Sequence, residues 1–220
     1  MHWPELLQRA LSLSVPYSFD PDGKLSAQGI RGTPSAVLIL LEPSLFDGSQ
    51  TSLLDCSVVL TRRSEFVEHH KGQISFPGGT QDPEDEQRGG LRATALREAH
   101  EELGIDPAHV EIFGELPQLP TVTGFTIAPV VALPSHLAPS VPLRAEPKTA
   151  ETAEVFRATL RGLDAPGIWK REWVEHRTGS GLLLKHPIDS FYWNEHRIWG
   201  ATGAMLKNLI ERLKQVEEIG

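Results

Sequence analysis

The chain has 220 residues, with 21 Lys and Arg against 29 Asp and Glu, for a formal charge of −8 with histidine neutral. At roughly 150 residues per domain this length gives one or two domains, and 40% hydrophobic with 23% charged residues describes a chain that folds around a core. The acidic balance excludes a surface that attracts nucleic acid or anionic membrane as a whole, because such binding needs clustered Lys and Arg; a polyanionic partner has to be held locally. A single cysteine, Cys56, excludes an intramolecular disulfide framework and a cysteine-based zinc cluster; it reads as a small buried hydrophobe. No stretch approaches the roughly 20 apolar residues of a spanning helix, and the N-terminus lacks a basic segment ahead of an apolar one, so the expectation is a cytoplasmic protein.

In chain order, Leu6, Leu7, Ala10 and Leu13 after Pro4 predict a short helix over 5–13. Residues 15–33, rich in Gly, Pro, Asp and Ser, read as loop. The apolar runs 36–41 and 57–61 suit buried strands, with a turn-rich stretch between them. A helix is predicted over Leu91–Leu103, stopped by Gly104 and by Pro107 beyond it. Strands follow over 110–116 and 125–133, where Pro129 points to an edge strand or a bulge. Pro134, Pro139, Pro142 and Pro147 predict an irregular loop, a lid over a site being one use for it. Residues 154–160 read as a strand, 182–185 as a short apolar run, and 191–193 with 197–199 as a hairpin. Trp193 and Trp199 read there as packing residues. Leu206, Leu209, Leu213 and Val216 place one apolar stripe on a final helix. Strands and helices mixed over one continuous stretch favour one α/β (α+β) domain with helices on both faces of a mixed central sheet. Residues 1–33 form an N-terminal helix and loop packing on a domain that spans 34–220.

The chemistry concentrates in Arg97-Glu98-Ala99-His100-Glu101-Glu102-Leu103-Gly104-Ile105. At 100° per residue Glu98, Glu101 and Glu102 fall within about 100° of arc, apart from Leu96, Ala99 and Leu103. Like charges at i,i+4 cost a helix about 0.2–0.5 kcal/mol per pair unless a cation sits over them, and hard divalent ions take oxygen ligands. Upstream, Ser75-Phe76-Pro77-Gly78-Gly79 precedes Asp82 and Asp85. Paired glycines let the main chain approach a ligand closely.

Gly79, Asp85 and Arg97-Glu98-Ala99-x-Glu101-Glu102-x-Gly104-Ile105 resemble the Nudix box: Gly, five residues, Glu, seven residues, then Arg-Glu-apolar-x-Glu-Glu-x-Gly-apolar. The second half agrees at every defined position. In the first half, Asp85 stands where the pattern has Glu, and four extra residues, within 86–90, separate it from Arg97. Leu60-Thr61-x-Arg63-Ser64, His70 and Gly72–Gly79 are similar to the extended motif of the coenzyme A pyrophosphatase subgroup, as, more loosely, are Thr121-x-Thr123-Gly124-Phe125, Glu151-x-x-Glu154-Val155-Phe156 and Ile198–Gly203. Glu68 departs from that motif, which commonly has a basic residue there. The resemblance spans about residues 34–215.

The resemblance implies an α/β/α sandwich and a Mg²⁺- or Mn²⁺-dependent hydrolase of the diphosphate in coenzyme A or its derivatives, yielding 4′-phosphopantetheine and 3′,5′-ADP. It implies Glu98 and Glu102 as principal metal ligands, Glu101 as a further ligand or base, and Asp85 or Asp82 as an additional ligand or the carboxylate that braces Arg97. Gly78 and Gly79 lie against the substrate or lend a carbonyl to the metal. Arg62, Arg63 and Lys71 are the candidates to meet phosphates of a small-molecule nucleotide substrate, and Glu101, Glu151 and Glu154 to take a proton from water. Hydrolysis of another nucleoside diphosphate derivative, such as ADP-ribose or a dinucleotide, and a silent nucleotide-binding module stay open, as does a homodimer.

Overall fold

The computed structural model describes residues 3–17, 32–43, 52–65, 71–135, 145–177 and 183–219. Within them β1 (Thr33–Glu42) is the centre of the main sheet. Its apolar run is flanked by β7 (Phe125–Pro134), parallel to it, and by β2 (Ser57–Arg63) and β4 (Gly78–Thr80), antiparallel to it. β3 (Ile74–Ser75) and β8 (Thr152–Thr159) pair with β2. β5 (Val110–Glu115) and β6 (Leu119–Pro120) pair with β7. The sheet is therefore mixed.

Strand alternation divides the core into two layers. Ala36, Leu38 and Leu40 of β1 and Ala128, Val130 and Ala132 of β7 face α3 (Leu91–Leu103), which buries Ala95, Ala99 and Leu103 against them. The intervening Ile39, Leu41, Val131 and Leu133 face α1 (Trp3–Ser12) and the final helix α5 (Gly200–Ile219). Each fully buried aliphatic side chain contributes about 1.5–3 kcal/mol over its exposed state. Two layers of them, one on each face, give the α/β/α arrangement.

Two short helices, α2 (Pro83–Arg88) and α4 (Leu160–Leu163), lie at strand ends. A second antiparallel sheet of β9 (Trp169–Arg177), β10 (Leu183–Trp193) and β11 (His196–Ile198) precedes α5. Trp193 packs over Gly162, where a Cβ would overlap the indole. No helix among the described residues is long and apolar enough to cross a membrane. Residues 18–31, 44–51 and 136–144, and with the last most of the proline-rich loop, lie outside the described residues, as do Glu68 and His70.

Pro129 corrects the expectation of an edge or bulged strand, for β7 is internal, between β1 and β5. The register shift falls on β5, between Ile112 and Gly114. Proline is tolerated in β7 because its carbonyl, and therefore its missing N–H, points toward the connection between β5 and β6, where Leu116 N–H donates to Pro129 O at 2.9 Å. The ladder to β1 uses the other side of the strand and loses no donor.

Candidate active site

The site is built on α3. Gly90, at φ 67, turns the chain into the helix, and Gly104, at φ 70, ends it in the left-handed region, where glycine carries no Cβ penalty. Two terminal carbonyls accept from a remote segment: Lys148 N–H donates to Glu102 O at 2.8 Å and Glu146 N–H to Leu103 O at 3.1 Å. Burial of Ala95, Ala99 and Leu103 leaves Glu98, Glu101 and Glu102 on the remaining face, toward β4.

β4 is what Glu98 and Glu102 lie against. Gly78 N–H donates to Glu102 Oε2 at 3.3 Å, and a Cβ on Gly79 would overlap the Glu98 carboxylate. Gly78 is equally constrained, because a Cβ there would strike the carbonyl of Ala36. Gly79 thus lets the main chain meet the Glu98 carboxylate, and Gly78 lets β4 lie close against β1. Burial, with the charges of Glu101 and Asp82, raises the Glu98 pKa against the opposing Arg97. Burial, with the charges of Glu98 and Glu151, pushes the Glu102 carboxyl up to about 7, against Gly78 N–H and Arg63. Carboxyl groups held in this way, all oxygen donors, fit a hard divalent cation.

Arg97 braces the loop. Its Nε and Nη2 donate to Asp85, with Nη2 to Oδ2 at 3.0 Å, and Nη2 also donates to Thr80 O at 3.0 Å. Nη1 donates to Glu98 at 2.9 Å and to Glu101 at 3.2 Å. Asp85 is 2% exposed and also accepts from Thr94 Oγ1 at 2.9 Å and from Asp82 N–H at 3.1 Å. Burial alone raises the Asp85 pKa, but bonds from Arg97, Asp82 N–H and Thr94 together outweigh it and hold the carboxyl below its usual value. Both oxygens are therefore engaged in the clasp. Asp82 stands 3.5 Å from Arg97 and caps α2.

This clasp makes a stability prediction. A carboxyl whose folded pKa is depressed contributes stability that is fully present above the unfolded value, about 4, and lost as pH falls through the folded value. Asp85→Asn should cost about 2–3 kcal/mol at pH 7 and flatten the acid side of the melting profile. Thermal unfolding of both proteins from pH 3 to 7 checks this; parallel profiles would count against it.

The two arginines of β2 separate. Val59 shares the α3 layer and Val58 and Leu60 the opposite one, so alternation puts Arg63 toward α3 and Arg62 away from it. Arg63 lies close enough to Glu102 to lower its pKa, and its Nη2 stands 3.2 Å from Glu151 Oε2. Arg62 bonds Glu154 at 2.9 Å on the other face. Arg62, a candidate for phosphate binding, and Glu154, a candidate base, thus lie on the face away from the α3 carboxylates. Lys71 is exposed in the turn before β3, and His70 lies outside the described residues. The Thr94 and Lys148 contacts had no signal in the sequence, since each depends on a chain reversal rather than a spacing.

The Nudix-domain family model matches residues 45–176, a span that holds the Gly78-Gly79 strand and the whole of α3. Proteins named "Uncharacterized Nudix hydrolase NudL" are similar. That of Photorhabdus laumondii is 33% identical over 159 residues, covering 72% of this chain and 78% of that one. That of Salmonella newport is 35% identical over 152 residues, covering 69% and 72%. Among solved structures, a NUDIX hydrolase from Alicyclobacillus acidocaldarius aligns over 86% of this chain and 96% of that one, at 17% identity and a TM-score of 0.48. With the family model covering more than half of its length and relatives above 30% identity along most of theirs, the chain belongs to the Nudix hydrolase family.

Proposed function

We propose that the chain hydrolyses the diphosphate bond of coenzyme A or its derivatives, releasing 4′-phosphopantetheine and 3′,5′-ADP. The observation that carries this reading is the place of Arg63. Its motif, Leu60-Thr61-x-Arg63-Ser64, pairs with the Gly72–Gly79 run through Thr61 opposite Ser75 and Arg63 N–H on Gln73 O. The arginine thereby comes beside Glu102, on the face that carries the helix carboxylates. A cation next to a carboxylate cluster suits a substrate whose diphosphate is shared between guanidinium and metal.

In this reading Glu98 and Glu102 hold the cation, with Glu101 as a further ligand. Asp85 is left out, because its oxygens already hold Arg97, Thr94 and Asp82 N–H. When bound, Mg²⁺ or Mn²⁺ supplies the positive charge that polarises phosphoryl oxygens and lowers the pKa of water. Arg97 keeps Glu98 and Glu101 in place, through Nη1, while its other nitrogens grip the α2 loop. Gly79, by leaving room for the Glu98 carboxylate, keeps that ligand against β4, and Arg63 with the exposed Lys71 binds the diphosphate oxygens. Water adds to one phosphorus, the bridging P–O bond breaks, and the water proton passes to Glu151, beside Glu102, or to Glu101 where that residue does not ligate the cation.

Incubation of the purified chain with coenzyme A and Mg²⁺ or Mn²⁺ should give both products in equal amounts by chromatography. Turnover of ADP-ribose or a dinucleotide, with coenzyme A and its thioesters untouched, would move the substrate assignment. Absence of turnover with all of them would mean a silent binding module.

A further inference from the structure

The face to which Arg62 points carries a second polar centre. On β8, Glu154 and Phe156 share that face at positions i and i+2. The turn between β10 and β11, with Asn194 at φ 51, brings Glu195 and His196 over them. The His196 ring lies flat on Phe156, with centroids 4.2 Å apart and 19° between planes, and its side chain is only 7% exposed. Its Nε2 stands 3.3 Å from Glu154 Oε1 and 3.9 Å from Glu195 Oε1. All three ligand atoms lie within 4.8 Å of one another.

We propose that Glu154, Glu195 and His196 form a second divalent-cation site, separate from the α3 carboxylates, that takes a borderline first-row ion such as Zn²⁺ or Co²⁺ rather than Mg²⁺. One imidazole nitrogen among the donors sets the preference, since magnesium and calcium favour oxygen and zinc and cobalt accept nitrogen readily. The spacing agrees: bonds of about 2.0–2.1 Å in a tetrahedron put neighbouring ligands about 3.3 Å apart. Glu195, 77% exposed, closes its longer gap by side-chain rotation alone. Stacking and burial hold the imidazole in one plane, so its nitrogen is oriented before an ion arrives. Arg62 binds Oε2 of Glu154, which orients the carboxylate and leaves Oε1 facing the histidine. The two carboxylates offset the charge of the ion, one of them shared with the Arg62 guanidinium, and the fourth position is left to water. Because Glu154 belongs to the main sheet, Glu195 to the β10–β11 turn and His196 to the start of β11, the ion would staple the small sheet to the large one.

The test separates this site from the first by using the full-length Glu98→Gln/Glu102→Gln chain. Titrated with Co²⁺, it should bind a single equivalent with the ligand-field absorption of nitrogen-coordinated cobalt, and saturating Zn²⁺ should raise its melting temperature. His196→Gln in that background should abolish the band. Glu195→Gln, on an exposed side chain whose loss leaves the fold intact, should weaken binding by about tenfold or more. No Co²⁺ band, or a band that both substitutions leave unchanged, would overturn the proposal and leave Arg62, Glu154 and His196 as an ion-pair cluster only. Such a failure leaves the α3 reading untouched, because that one is read from Mg²⁺-dependent turnover of the unsubstituted protein.

Discussion

Glu98→Gln and Glu102→Gln should each lower turnover of the diphosphate substrate by about 10³-fold or more at saturating Mg²⁺, equivalent to about 4 kcal/mol on the barrier, without loss of fold. Both carboxyls are pushed above their usual pKa by burial, and each raises the other or is raised by a further acidic neighbour. The metal-free protein therefore carries charge that its own environment opposes, and neutral glutamines relieve it. The variants should melt at the wild-type temperature or slightly higher, the trade of stability for function expected of a preorganised site. Glu101→Gln should cost less, about tenfold, since Glu101 is 55% exposed and its bonded partner is Arg97. A second readout follows from Glu102, whose carboxyl titrates at about 7. Below that pH a proton competes with the cation, so Mn²⁺ affinity should rise by up to about tenfold per pH unit until pH 7 and then level off. Wild-type turnover in either glutamine variant would remove these carboxylates from the proposed mechanism.

Legibility followed the physics of each element. Helix α3 was readable to its last residue, because an apolar stripe at helical spacing ends at Gly104, whose φ of 70 needs the glycine that the sequence supplies. β1 and β7 were readable as apolar runs because both faces are buried. β9 was not, since Lys170-Arg171-Glu172-Trp173-Val174-Glu175 shows no apolar period. It is held by partners distant in sequence, such as Glu172, which accepts from Arg197 at 2.7 Å and Tyr192 at 2.8 Å. At the site, the residue types and the α3 face were legible. The split between Arg62 and Arg63 follows from strand alternation, a rule available in the sequence once the phase of β2 is known. The clasp of Asp85 on Arg97 needed the structure, because the extra residues that lengthen α2 and turn at Gly89 and Gly90 obscure a fixed spacing.

The largest expected loss of stability lies on the face opposite α3, at Arg212. This side chain is 1% exposed in the middle of α5, yet its bonds go chiefly to main chain. Nη1 donates to the carbonyls of Ala10, Leu11 and Leu13, Nη2 to that of Val15, and Nε to Asn208 Oδ1 at 2.7 Å. Asn208 in turn donates to Val15 O and Pro16 O. Ala10 and Leu11 belong to the last turn of α1 and Leu13, Val15 and Pro16 to the segment that follows it, and buried acceptors of this kind cost about 1–3 kcal/mol each when orphaned. The planar fork of the guanidinium reaches several at once, which a single ammonium cannot do. Arg212→Met keeps the apolar stem and removes the fork, so two or more orphaned carbonyls at about 1–3 kcal/mol each should destabilise the chain by about 3–5 kcal/mol. At about 2–4 °C per kcal/mol for a chain of this size the melting temperature should fall by roughly 10 °C, with Arg212→Lys recovering only part of it. Below the transition, turnover per folded molecule should be unchanged, because Arg212 and the α3 carboxylates are separated by the sheet. A melting temperature within about 2 °C of wild type, less than the shift of 1 kcal/mol, would show that solvent reaches these carbonyls when the arginine is gone.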